Sequence, residues 1–138
     1  MNIKILFCAP LLLLMSNCKT QTAPAETSAA ANNMITLDLT KSSKIPDSKV
    51  TLQFKEIVED SRCPVDVTCV WEGVAVVEMQ AKSGSESKTI RVGTRDFDPK
   101  NIKKTFSFAG YKFTLTDLKP QPGGKETTIS ATLKYEKE

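Results

Sequence analysis

The chain contains no histidine. Ser-His-Asp and Cys-His nucleophile activation are therefore excluded in their usual forms. The commonest metal ligand is gone with it, and every HExxH-type zinc site. Dense basic tracts are also missing: lysines and carboxylates are interspersed, and the net charge is only +3. Nothing in that pattern neutralises a row of phosphates, so nucleic-acid binding is not expected. No segment keeps a period of 3.6 over three turns, so helices are not expected to carry the fold. The one long apolar run, Ile5 to Met15, falls short of the roughly 20 residues needed to span a bilayer as a helix.

What is present begins with that run. Lys4 precedes it, and Ser16, Asn17 and Cys18 follow. This is the layout of a secretory signal segment, not of a folded element. Its end, LMSNC, resembles the signal peptide of bacterial lipoproteins. In those proteins a short apolar stretch ends in small residues before a cysteine that is lipidated on sulfur. The resemblance implies removal of residues 1–17 and lipidation of Cys18. Two or more acyl chains give stable anchoring, since each buried CH2 contributes about 0.8 kcal/mol. Lys19, in place of an aspartate after the cysteine, implies the outer membrane as destination. Cys8 would be discarded with the signal.

Residues 19–32 contain no Val, Ile, Leu or aromatic residue. Such a segment cannot bury enough apolar surface to order itself and reads as a flexible tether. The folding unit is then 33–138. Roughly 105 residues suffice for one modest core, with about 60–70% of the surface buried.

Within that unit the periodicity is two. MITLDLT, KVTLQFKEI, GVAVVEMQAK, SKTIRVG, TFSFAG, YKFTLTDLKP and TTISATLKYEK read as seven strands. Ile57 and Leu118 fall out of phase with the alternation before them, which predicts a bulge or a strand end at each place. GVAVVEMQAK reads as a strand buried on much of both faces. KSGSES, RDFDPKN, AG and KPQPGG supply the turns. The expected class is all-β: an antiparallel β-sandwich or small barrel of about seven strands with one disulfide.

That disulfide comes from DSRCPVDVTCVWEG, residues 60–73. A secretory signal sends the domain to an oxidising compartment. After processing, Cys63 and Cys69 are the cysteines left besides Cys18, and an intramolecular bond is the simplest account. Closing so short a loop contributes roughly 2–2.5 kcal/mol. A redox dithiol would instead sit as CxxC at a helix N-terminus. Two thiolates without histidine leave a tetrahedral zinc site half empty. Trp71 reads either as a packing lid over the disulfide or the sandwich end, or as an exposed anchor for a partner. Pro64 fixes the backbone after Cys63. Asp60 and Arg62 bracket Ser61 and can pair or cap the loop, and as a surface pair they would contribute only about 0–1 kcal/mol. Trp71, Arg62, Asp60 and Pro64 are the candidate partner-contact residues.

The whole pattern, DSRCPxxVxCVWxGxA, resembles a motif of small bacterial envelope lipoproteins of uncharacterised activity. GYKFTLTDLKPQP followed by ISATLKY is similar to their late strands, and the likeness covers most of residues 50–135. It implies envelope location and a β fold, and no activity.

Two further places invite chemistry. Asp96 and Asp98 with Asn101 suggest calcium, but an EF-hand needs further ligands, a Gly at its turn and a terminal Glu. The same carboxylates as a glycosidase pair would need a cleft that short loops do not offer. PQPGGKE precedes a strand, so it is a hairpin turn and not a phosphate loop. No catalytic residue, metal or cofactor is expected. The sequence therefore points to a non-catalytic, lipid-anchored envelope module that binds an envelope protein, a glycan or a small ligand. The alternative is a protease inhibitor presenting the braced 63–69 loop. Thiol-redox chemistry comes last.

Overall fold

The computed structural model describes residues 33–138. The expected signal segment 1–17, Cys18 and the tether 19–32 lie outside the described residues. The domain has eight strands: β1 (Met34–Asp38), β2 (Ser42–Lys44), β3 (Val50–Asp60), β4 (Ala75–Ser83), β5 (Glu86–Gly93), β6 (Thr105–Phe108), β7 (Tyr111–Lys119) and β8 (Ser130–Lys137). A one-turn 3-10 helix, Asp98–Lys100, interrupts the β5–β6 connection.

The strands form two four-stranded antiparallel sheets, in the orders β2-β3-β4-β5 and β1-β8-β7-β6. The strand order follows the chain around the molecule and returns to β1. The circle is open at two corners, where β1 passes to β2 and β5 to β6 without a shared ladder. The result is a sandwich, not a closed barrel. The seven expected strands are all present. The eighth, β2, is polar Ser-Ser-Lys and has no apolar alternation to announce it; it forms because Ser42 and Lys44 pair with Gln53 and Thr51 of β3.

Alternation decides which side chains face inward. Val50, Leu52 and Phe54 of β3, Ala75, Val77, Met79 and Ala81 of β4, Phe113 and Leu115 of β7, and Ala131 and Leu133 of β8 meet in one core. The phase slips expected at Ile57 and Leu118 are bulges. The β3–β4 register shifts between Phe54 and Glu56, and the β7–β8 register between Leu115 and Asp117. The extra residue returns Leu118 to the core side, where it is fully buried. The Thr116 hydroxyl donates to Thr132 O at the second bulge. The two-faced burial of the strand after Gly73 also has a reason. Val74 and Val76 point away from the main core and pack with Ile102 and Phe97 of the 94–104 connection, in a satellite cluster.

Apart from the three-residue β1–β2 corner, 39–41, which meets Ile129 on the long-loop side, the connections sort by length. Those of 45–49, 84–85 and 109–110 are tight and lie together at one end, where Asn33 O accepts from Tyr135 N and Glu138 N donates to Gly110 O. The long ones, 61–74, 94–104 and 120–129, lie at the other end. Every ladder and both apolar clusters are built from residues 34–137, so the stretch 33–138 holds a complete core of its own.

Candidate functional site

The long-loop end is organised by residues 60–73. Ser61 and Val74 extend the β3–β4 hairpin past its last regular rung. Ser61 N and its hydroxyl both donate to Val74 O (2.9 Å each), and Val74 N donates to Ser61 Oγ (3.1 Å). Cys63 N donates to Glu72 O (3.1 Å) one rung further on. This close approach requires Gly73. Its φ is +70°, and a Cβ there would lie 1.8 Å from Ser61 O.

Cys63 and Cys69 are joined by a disulfide, with Cα atoms 5.9 Å apart. Inside the bridge, Val65 and Asp66 form a turn, and Val67 N donates to Pro64 O (3.4 Å). Val65 N donates outward to Pro122 O (3.0 Å). The 120–129 connection thus rests on the braced loop, with Gly123 packed close to Pro64, Val65 and Asp66. The segment expected as a simple hairpin turn does join the antiparallel neighbours β7 and β8, but it is ten residues long and docks on the loop beside it.

Asp60 is exposed, but Arg62 does more than form a surface pair with it. The Arg62 side chain is only 8% exposed. Its Nε and Nη2 fork onto Asp60 Oδ1 and Oδ2 at 2.8 and 2.7 Å. Nη1 also donates to Leu118 O, and Nη2 to Pro120 O (2.8 Å). Arg62 N adds a bond to Asp60 Oδ1 (3.2 Å). These four side-chain bonds engage nearly the whole donor set of a guanidinium. Arg62 therefore latches the end of β3 to the end of β7, across the two sheets, and has little left to offer a partner. Burial pushes the Asp60 carboxyl up, but the Arg62 hydrogen bonds and charge outweigh it and hold the carboxyl below its ordinary value.

Trp71 divides between the two expected roles. Its ring lies 5.6 Å from that of Phe97, tilted by 53°, and the Arg95 guanidinium sits 5.3 Å from its centroid. It thus extends the satellite cluster outward, yet it remains 47% exposed. Arg95 is tied in turn to Glu72 (3.6 Å). Beside Trp71, Val70 is fully exposed, and Val65 and Val67 are more than half exposed. These three valines escape a reading of the sequence that equates apolar with buried. The one available signal is that Val70 and Trp71 fall between Cys69 and Glu72, outside any strand alternation.

A shallow groove of about 310 Å³ runs along the latch, lined by Ile57, Asp60, Arg62, Pro120, Pro122 and Ile129, among others. Asp96 and Asp98 do not converge on a shared site. Asp96 Oδ1 accepts from Lys104 N, and Asp98 pairs with Lys103, both at 2.6 Å. Asn101 closes the 3-10 turn in the left-handed region, at φ 51°.

The motif residues thus separate by job. Asp60, Ser61, Arg62, Cys63, Cys69, Gly73 and the buried Ala75 each have a structural bond or a packing requirement. Val70 has none, and Trp71 has one only in part. No protein-family model, curated protein or solved structure matches the chain. The function is accordingly argued from the site itself.

Proposed function

We propose that this protein is a non-catalytic, lipid-anchored module of the bacterial envelope, held through Cys18 at the outer membrane, that uses the braced 60–73 loop as a contact face for a protein partner. One observation carries the reading. Of the six large exposed hydrophobics in the described domain, four (Val65, Val67, Val70 and Trp71) sit on this one loop. The same loop is fixed by a disulfide, the half-buried Arg62 and a docked neighbouring connection. Apolar side chains displayed on a pre-organised support lose little entropy on binding, and an aromatic ringed by apolar contacts is the usual composition of an interface centre. Residue 33, to which the proposed tether joins, lies at the opposite end, so the loop is presented on the side away from the tether's attachment.

The reading extends the envelope-lipoprotein resemblance of the motif and of LMSNC. An apolar face favours a protein over a glycan. The inhibitor alternative gains less from the geometry: the 63–69 segment is a closed turn, whereas a protease cleft takes an extended strand.

The test is capture from envelope extracts with three baits: the wild-type domain, Val70→Asp with Trp71→Ala, and Lys88→Asp as a remote control. The control is expected to melt like the wild type, and the loop variant, which loses the Trp71–Phe97 packing, is used well below its own melting temperature. The reading expects a partner retained by wild type and control and lost with the loop variant. An identical retained set for all three baits removes its basis. Inhibition of a serine or cysteine protease panel at micromolar concentration would move the assignment to the alternative. Fractionation of the Cys18→Ser chain tests the anchor separately, with release from the membrane fraction expected.

A further inference from the structure

The tight-turn end carries a second concave surface that the contact face does not use. A groove of about 630 Å³ opens between the 45–49, 84–85 and 109–110 turns. Lys44, Lys49 and Lys137 line it against one carboxylate, Asp47, and Tyr111 contributes a phenol. Among the described residues these three lysines have no ion-pair partner, which is also true of other exposed lysines such as Lys41, Lys55 and Lys88; what sets the three apart is that they share one concavity. The nearby carboxylates Glu136 and Glu138 are engaged by Lys134 and by the Ser107 hydroxyl. Three ammonium groups against the single lining carboxylate Asp47 leave the concavity net positive, which raises the local potential and attracts anions.

The chain also enters the domain at this end. Met34 pairs with Lys134, and Asn33 O accepts from Tyr135 N. The residues between Cys18 and Asn33 can span at most about 50 Å when fully extended. Anchoring at Cys18 therefore lets this end reach the bilayer surface, where phosphodiester headgroups are concentrated, and keeps it within about 50 Å of that surface.

We propose that the Lys44–Lys49–Lys137 groove docks on anionic lipid headgroups of the membrane that anchors the chain. The inference rests on the anchor reading. The recognised chemistry is phosphate oxygen, and the source is the lipid surface rather than a soluble phosphate. Docking would orient the domain upright, with the 60–73 loop directed away from the bilayer.

The test uses the 33–138 domain, whose core is complete, with vesicles of phosphatidylcholine alone or mixed with phosphatidylglycerol, in a sedimentation assay at low salt. Binding is expected on the mixed vesicles only, and weakening with added salt. Each surface-proximal lysine is worth about fivefold in partitioning. The triple variant Lys44→Gln, Lys49→Gln, Lys137→Gln should then bind about a hundredfold more weakly, with an unchanged melting temperature. Lys100→Gln, Lys103→Gln, Lys119→Gln carries the same charge change at the far end and should bind like the wild type. Equal binding to both vesicle types, no effect of the groove variant, or an equal loss in the control variant overturns the proposal. So does release from vesicles by inorganic phosphate at an ionic strength where chloride has no effect, which would assign the groove to a soluble anion. The domain tested lacks Cys18, Val70 and Trp71 are intact in every form, and failure here leaves the anchor and contact-face experiments standing.

Discussion

Arg62→Ala tests the account of the long-loop end most directly. The side chain is 8% exposed and makes four hydrogen bonds, two to Asp60 and one each to Leu118 O and Pro120 O. Truncation leaves a carboxylate that is only 25% exposed without its counter-charge. It also strips a donor from two carbonyls. Removing one partner of a buried pair costs about 3–5 kcal/mol. Asp60 as a whole residue is exposed, so the loss falls below that range, at about 2 kcal/mol, chiefly from the part-buried bonds to Leu118 O and Pro120 O. Against a net stability of about 5–15 kcal/mol that is a large fraction. In a domain of this size it corresponds to a fall in melting temperature of about 8–16 °C. Arg62→Lys keeps the charge but not the fork and should fall between the two. Urea unfolding followed by circular dichroism measures the loss. A loss for Arg62→Ala of about 1 kcal/mol or less is what an exposed pair contributes, and it would refute the latch.

The other predictions concern the same end. Replacing Cys63 and Cys69 together by serine should cost about 2–2.5 kcal/mol, reproduced in the wild type by reductant during urea titration. The depressed Asp60 carboxyl fixes a sign with pH: its contribution is complete above the ordinary carboxylate range and is lost as pH falls through the lower folded value. The urea midpoint should therefore drop on acidification below pH of about 4, and Asp60→Asn should flatten that drop. Gly84→Ala meets no atom within 4 Å and should cost only the left-handed backbone term, about 1–2 kcal/mol. Gly73→Ala would place its Cβ 1.8 Å from Ser61 O and should cost clearly more in the same assay.

The strands and their irregularities were legible because alternation is local. Val50, Leu52 and Phe54 set a phase that Ile57 breaks, and Tyr111, Phe113 and Leu115 set one that Leu118 breaks; both breaks are bulges. The Cys63–Cys69 bond was legible by elimination, since the expected processing would leave few other thiols. Arg62 was not legible. Its burial depends on carbonyls 56 and 58 residues away, and no local pattern reports so distant a partner. Trp71 was half legible: its type predicts an anchor or a lid, but Phe97 and Arg95, which hold it, arrive from another connection. β2 escaped because a polar edge strand is written by its neighbour's backbone and not by its own side chains.

The separation of residue 33 from the 60–73 loop has a mechanical consequence. Antiparallel ladders hold their hydrogen bonds perpendicular to the strands. A pull between residue 33 and the loop runs along the strands, so it loads those bonds in shear and not by peeling. The five rungs of β1 on β8, from Met34–Lys134 to Asp38–Ser130, would then resist together. The sandwich is built to transmit tension lengthwise between its two ends.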